Sequence, residues 1–126
     1  MNKQVINTSN APAPIGPYSQ AIEANGFLFI SGQIPLHAES GELIMDSIEA
    51  ETEQVMKNLH AILKEAGLTF ENVVKTSIFL MDMQQFASVN AVYARYFTEN
   101  PPARETIQVA GLPKNVHVEI SMIAVR

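Results

Sequence analysis

The dipeptide Asn25-Gly26 constrains the fold of this chain more strongly than any other feature. It separates two β-prone runs, residues 18–24 and residues 27–31. A two-residue type I′ turn needs a positive φ at both central positions, and Asn followed by Gly adopts that geometry readily. The sequence therefore predicts a β-hairpin here. Before it, alternating prolines at residues 11–14 exclude a helix and predict an extended lead-in.

The segment after the hairpin has the spacing of an amphipathic helix. Its apolar residues fall on one face, namely Val55, Met56, Leu59, Ile62, Leu63 and Ala66. Asp46 and Glu49, three residues apart, resemble a capping box at the start of this helix, and Gly67 fits the C′ position after its end. Residues 73–81 are rich in β-branched side chains, which predicts a strand in the interior of a sheet.

A second helix and two more strands complete the prediction. The residues on the apolar face of this helix are Phe86, Val89, Tyr93 and Phe97. Pro101-Pro102 prevents the helix from continuing, and residues 106–110 and 116–125 are predicted strands. The order β-β-α-β-α-β-β defines an α+β fold, a two-layer sandwich with two helices packed across one sheet, in one domain over residues 1–126.

The charge balance of the sequence argues against two classes of partner. Eight Lys and Arg against 13 Asp and Glu give a net charge of −5 without a basic cluster, so we expect no nucleic-acid binding. No apolar run approaches the ~20 residues of a spanning helix and no signal peptide is evident, so we expect a cytoplasmic protein that does not contact membranes. Charged residues make up only 17% of the chain, against the usual ~25%, which favours a homo-oligomer.

Several common catalytic groups are missing from the sequence. There is no cysteine, and His37, His60 and His117 lack the spacing of metal ligands. No glycine-rich loop is present to hold a phosphate, and the serines have no evident His–Asp relay. We therefore expect no metal site, and none of the usual marks of hydride transfer, phosphoryl transfer or serine hydrolysis.

Arg104 is the first candidate for a ligand-binding residue. It follows Pro101-Pro102-Ala103, where the chain leaves a helix and enters a strand, and it is one of only three arginines. A guanidinium at a strand entrance could hold a carboxylate with two hydrogen bonds. The ordinary alternative is a surface charge or an ion pair with a nearby glutamate, since most arginines are exposed.

Four further polar residues are candidates for functional roles. Glu119 lies in the middle of the last predicted strand, on a face that mixes polar and apolar residues. A partly desolvated carboxyl exchanges protons near neutrality, whereas a solvated one is only a surface charge. Asn90 falls within the apolar stripe of the second helix, where it either braces a loop or reaches a ligand. Tyr18 and Ser31 offer hydroxyl groups on the hairpin, although each alone is an ordinary strand residue.

Several segments, taken in order, resemble the reactive intermediate deaminase family (RidA, also called the YjgF-type family). The matching segments are Gly16-Pro17-Tyr18-Ser19-Gln20-Ala21, Ser31-Gly32-Gln33-Ile34-Pro35, Asn58-Leu59, Val74-Lys75, Val89-Asn90-Ala91-Val92-Tyr93, Pro102-Ala103-Arg104, Leu112-Pro113 and Val118-Glu119-Ile120. The likeness runs from about residue 14 to residue 124. The order and spacing of GPYSQA, SGQIP and PAR make it specific.

This resemblance implies a chorismate-mutase-like fold that packs as a homotrimer, with sites between subunits. It also implies a cofactor-independent enzyme that hydrolyses 2-imino acids or their enamine tautomers to 2-keto acids and ammonia. Substrates of this class, such as 2-aminoacrylate and 2-iminobutyrate, escape from pyridoxal-phosphate dehydratases. Arg104 matches the family's carboxylate-binding arginine, and Glu119 matches the glutamate that positions or activates the water. Tyr18, Ser31 and Asn90 match residues that line the same cleft.

Thr106 departs from the PARxC pattern of many family members. The resemblance implies that much of the contact at this position is made through the backbone, so we expect substrate binding to persist while the preferred imine stays open. The main alternative is a non-catalytic trimer that binds small keto or imino acids and regulates a partner, because it would use the same Arg104. Ribonuclease and chaperone roles lack a supporting basic stripe or strongly amphipathic segment.

Overall fold

Six strands form one sheet, and two helices cover one of its faces. The computed structural model describes residues 2–126. The strands are β1 (Lys3–Ile6), β2 (Ala21–Ala24), β3 (Phe27–Gln33), β4 (Val73–Leu80), β5 (Ala103–Gln108) and β6 (Val118–Val125), and the helices are α1 (Ile48–Glu65) and α2 (Phe86–Tyr93). The spatial order of the strands is β1-β2-β3-β6-β4-β5, with β4 and β5 parallel and the other neighbours antiparallel. The predicted α+β sandwich is confirmed.

The hairpin at Asn25-Gly26 forms as predicted. Both residues have positive φ, 53° and 80°, and the turn pairs Ala24 with Phe27. Strand β1 is not predicted from the sequence, so residues 2–126 form six strands and not the five predicted. Its four residues are mostly exposed and pair only with β2 at the edge of the sheet. Such a short edge strand carries no alternating apolar pattern that would reveal it.

The core lies between the helices and alternate residues of the inner strands. In β6 the buried residues are Val118, Ile120, Met122 and Ala124, and the residues between them stay half-exposed. The helix face predicted for α1 is buried against them. The opposite face of the sheet, which we call the open face, carries exposed apolar side chains such as Phe27 and Phe29. No helix within residues 2–126 has the length and apolar composition of a membrane span.

Several predicted boundaries need correction. The N-cap of α1 is Ser47, whose hydroxyl accepts from the amide of Ala50, so the capping box predicted at Asp46 is wrong. Gly67 has a φ of 75°, as predicted for a residue after the end of a helix.

The end of α2 also differs from the prediction. A 3-10 turn continues α2 to Tyr96, and Phe97 is not helical. The helix therefore ends before Pro101-Pro102, which were predicted to stop it. Strand β5 begins at Ala103, three residues earlier than predicted, which places Arg104 inside the strand.

A buried carboxyl on α1 fixes the start of β6. Glu51 is 1% exposed, and its two oxygens accept hydrogen bonds from the His117 amide at 2.9 Å and from the His117 ring at 2.6 Å. We expect Glu51→Ala to lower the free energy of unfolding by about 2–4 kcal/mol, because both donors lose their partner. Urea denaturation would measure this. The matched change Glu49→Ala, at an exposed position of the same helical turn, should cost under about 1 kcal/mol. Equal losses in the two variants would contradict the assignment.

Candidate functional site

Arg104 lies on the helix-covered face of the sheet, next to α2. It is the register partner of Thr76 in the parallel pair β4–β5, so the two side chains share a face. The Nη1 atom of Arg104 donates to Oδ1 of Asn90 at 2.7 Å. The sequence allows two roles for Asn90, bracing a loop or reaching a ligand, and in the structure its amide oxygen contacts the guanidinium.

Two aromatic rings complete the surroundings of the guanidinium. Its Cζ atom lies 5.5 Å from the ring centroid of Phe86 and 5.0 Å from that of Tyr93, within the range of cation–π attraction. Within residues 2–126, no carboxylate lies within ion-pair distance of Arg104. Arg104 therefore does not form a structural ion pair with a glutamate, which was the ordinary alternative for this residue. The group that comprises Arg104, Asn90, Phe86 and Tyr93 is called the arginine cradle below.

Glu119 lies on the opposite face of the same sheet. It pairs with Phe79 of β4, and Phe79 and Thr76 have opposite parity along that strand. A cleft of about 360 Å³ opens beside Glu119; it is lined by Ile15, Tyr18, Ser31, Gly32, Ile34, Pro113 and Glu119. Burial raises the pKa of the Glu119 carboxyl above its usual range. The cleft therefore combines a carboxyl poised to exchange protons with a mostly apolar wall.

Hydrogen bonds to the backbone shape this cleft. Ser31 donates from Oγ to the carbonyl of Ser19 at 2.6 Å, and the Tyr18 hydroxyl accepts from the amide of Ile15 at 3.2 Å. The Ser31 hydroxyl therefore donates its proton to the backbone, and toward a ligand it can act only as a hydrogen-bond acceptor.

Two buried amide side chains, to which the sequence analysis gave no role, hold the loops of the cleft. Gln20 donates to the carbonyls of Thr8, Ala11 and Pro12 and accepts from the Thr8 amide, which fixes the lead-in to the cleft.

Asn58 of α1 donates to the carbonyls of Ile34 and Leu36 at 3.1 and 2.9 Å. The signal was present for Asn58, because a polar amide between the apolar positions of a helix needs partners.

Gly32 leaves the space that the Glu119 carboxyl occupies. A Cβ atom at this position would lie 2.8 Å from Cδ of Glu119 and closer still to one carboxylate oxygen. A side chain here must therefore push the carboxyl out of its place, although the flexible end of Glu119 can move without unfolding the sheet.

We expect Gly32→Ala to lower the rate of any reaction that uses the Glu119 carboxyl about 10- to 100-fold while the fold is kept, because a displacement near 1 Å is that costly to a positioned group. Gly111→Ala is the matched control, since a Cβ there meets nothing within 4 Å. Steady-state kinetics with circular dichroism would measure both variants. Wild-type activity in Gly32→Ala would show that the position of this carboxyl does not matter.

The predicted site residues fall into two groups within one chain. Tyr18, Ser31 and Glu119 line the cleft on the open face, whereas Arg104 and Asn90 meet on the helix-covered face. Thr106 shares the face of Arg104, because it pairs with the buried Ile78, and its Oγ1 atom is buried without a hydrogen-bond partner. A single chain therefore does not bring all the predicted residues to one place. In residues 2–126 no group of three potential metal ligands occurs either.

Comparison with known proteins finds relatives that match this chain over nearly its whole length. A family model described as Endoribonuclease L-PSP covers residues 8–126. The 2-iminobutanoate/2-iminopropanoate deaminase of Mus musculus is 48% identical over 124 residues, which span 98% of this chain and 92% of the mouse protein. Reactive Intermediate Deaminase A, chloroplastic, of Arabidopsis thaliana is 49% identical over 124 residues, 98% of this chain and 66% of the plant protein.

A solved structure agrees equally well. The Rid-family protein YyfA of Yersinia pestis, 48% identical, superposes with a TM-score of 0.97 over 99% of this chain and 100% of that one. The fold and its two groups of polar residues thus define a small α+β protein of the Endoribonuclease L-PSP class. Within that class the chain belongs to the RidA (YjgF-type) family, so the predicted family is confirmed.

Proposed function

We propose that this protein hydrolyses 2-imino acids, or their enamine tautomers, to 2-keto acids and ammonia without a cofactor. The observation that carries the proposal is the arginine cradle, in which a guanidinium is held by an amide and two aromatic rings and, among residues 2–126, has no carboxylate within ion-pair distance. In a chain of net charge −5, such a cation is a specific place for a small organic acid. The named activities of the mouse and plant relatives support the same reaction class.

The working site needs two copies of the chain. Arg104 and Glu119 lie on opposite faces of one sheet, so the carboxylate-binding and water-handling groups meet only if one copy places its cleft against the cradle of another. The open face is suited to such packing, because it carries exposed apolar side chains from three strands; these are Val5, Phe27, Phe29 and Ile107. We propose a homotrimer in the cytoplasm, with three sites between subunits.

The proposed chemistry is the addition of water to an electrophilic carbon. Arg104 holds the substrate carboxylate, and Asn90 keeps the guanidinium in place. Glu119 accepts a proton from water as the water oxygen bonds to the carbon of the protonated imine, and the carbinolamine that forms has the former imine nitrogen as a neutral amine. Glu119 returns that proton to the nitrogen. As the C–N bond breaks, the carbinol hydroxyl gives its proton to Glu119 and becomes the carbonyl of the keto acid, and the departing ammonia takes that proton from Glu119.

The raised pKa of Glu119 suits this shuttle, because a carboxyl with a raised pKa both accepts and returns a proton more readily near neutrality. Tyr18 and Ser31 line the cleft around the substrate, and Thr106 contributes its strand backbone beside Arg104. An imine carbon is already electrophilic, so no metal or covalent nucleophile is needed for the step.

A coupled assay tests the proposal. Threonine dehydratase or an amino-acid oxidase generates the imino acid, and semicarbazide traps whatever is not hydrolysed. The wild-type protein should lower semicarbazone formation and raise the rate of keto-acid release. A protein that binds 2-ketobutyrate but leaves the semicarbazone yield unchanged would instead be a regulatory binding trimer. Cleavage of RNA in a parallel incubation, with an unchanged semicarbazone yield and no binding of 2-ketobutyrate, would overturn both the deaminase and the binding trimer.

A further inference from the structure

A buried hydrogen bond joins Tyr93 of the arginine cradle to Thr76 of β4, and the proposed reaction uses neither hydroxyl group. The Tyr93 hydroxyl and Oγ1 of Thr76 lie 2.8 Å apart, and both residues are buried. We propose that this pair sets the position of the Arg104 guanidinium, which makes Tyr93 and Thr76 positioning residues for carboxylate capture. The inference rests on the proposed function, since it concerns the same ligand.

Thr76, Arg104 and Tyr93 each contact the other two. Thr76 pairs with Arg104 across the β4–β5 ladder, the Arg104 guanidinium lies over the Tyr93 ring at 5.0 Å, and the Tyr93 hydroxyl returns to Thr76. The Tyr93 ring is also held from the side, with its centroid 4.7 Å from that of Phe97. Strand β5, which carries Arg104, and the Tyr93 ring beside its guanidinium are therefore both held by Thr76.

Packing alone does not require these hydroxyl groups. A Phe and a Val of nearly the same shape would fill the space, and replacing both partners of a buried hydrogen bond by apolar groups is often close to neutral for stability. What the hydroxyl pair adds is a fixed angle for the ring. Burial raises the pKa of Tyr93, so its hydroxyl stays protonated through the neutral range and the hydrogen bond persists there.

The cradle also limits how a ligand approaches. The guanidinium lies near two aromatic rings, and Nη1 is already used by Asn90. The remaining N–H groups point along the guanidinium plane, so a planar carboxylate is taken edge-on by two parallel hydrogen bonds. If the ring tilts, both bonds lengthen together, and ligand binding weakens before the chemistry at Glu119 is affected.

The test compares the double variant Thr76→Val/Tyr93→Phe with the wild-type protein. We expect KM for the imino acid and Kd for 2-ketobutyrate, measured by calorimetry, to rise about tenfold while kcat changes less than threefold. Tyr96→Phe is the matched control: this neighbouring tyrosine hydroxyl donates to Glu53 and is not part of the arginine cradle. It should leave KM and Kd unchanged.

The outcomes are distinct from those of the proposed function. If Kd for 2-ketobutyrate stays within twofold of wild type in the double variant, the positioning role is wrong. Should that variant fail to fold, the same comparison is made with Tyr93→Phe alone, where the ring is kept and a threefold or greater rise in Kd is expected. If the wild-type protein binds keto acids but does not hydrolyse imines, the proposed deaminase activity is wrong. The positioning role is then still tested by comparing Kd for 2-ketobutyrate between the wild type and the variant. A wild-type protein that binds no keto acid would overturn both.

Discussion

Arg104→Ala is expected to lower kcat/KM for 2-imino acids by about 10²–10⁴-fold. The guanidinium offers two charge-assisted hydrogen bonds to a carboxylate, each of which contributes about 1.5–3 kcal/mol, and each ~1.4 kcal/mol corresponds to a factor of ten. In the described part of the chain, the other members of the cradle are an amide and two aromatic rings, so the variant leaves no cation in the cradle. The coupled semicarbazide assay measures the loss directly.

Two further variants give this experiment its controls. Arg104→Lys keeps the charge but not the planar fork, so it should recover only part of the activity. Arg95→Ala removes a largely exposed arginine whose Nη1 atom lies 3.6 Å from Oε2 of Glu53, so this variant should leave activity unchanged. Size-exclusion chromatography should give the same assembly for all three variants. Near-wild-type activity in Arg104→Ala would refute its role as the carboxylate-binding group.

Local pattern was enough to predict most of the elements. The Asn25-Gly26 turn, the buried face of α1 and the alternation along β6 each depend on neighbours within a few residues, and the structure has all three. Strand β1 could not be found in this way, because its few exposed residues gain their order only by pairing with β2. The N-cap at Ser47 shows a smaller failure of the same kind, where two adjacent capping residues competed for one position.

The composition of the site was predictable, but its arrangement was not. Arg104 and Glu119 could be singled out from their positions in strands, and the family resemblance gave them roles. That they lie on opposite faces depends on how β4 registers with both β5 and β6, because a slip of one residue moves a side chain to the other face. That register is set by packing over the whole sheet. The contacts of Arg104 with Phe86 and Tyr93 likewise depend on where α2 crosses β5.

Glu119 differs from a structural carboxyl in how it should affect stability. Its pKa is raised by burial, so the native state binds this proton more tightly than the unfolded state does. Below the usual carboxyl range both states are protonated and the group has no effect. As the pH rises through the window between the usual pKa and the raised one, the native state loses stability relative to the unfolded state, and the loss is complete above the raised pKa.

Glu119→Gln should therefore make the protein less active and, at neutral pH, at least as stable as the wild type. Without a proton acceptor near the imine carbon, kcat should fall about 10²–10⁴-fold, while 2-ketobutyrate still binds through Arg104. The acid limb of the wild-type pH–rate profile should lie above the usual range for a glutamate and vanish in the variant. Glu99→Gln, at an exposed position after α2, removes the same charge and should change neither property. If Glu119→Gln instead unfolded more easily at pH 7 than at pH 4, relative to wild type, Glu119 would be a structural residue whose negative charge the fold requires.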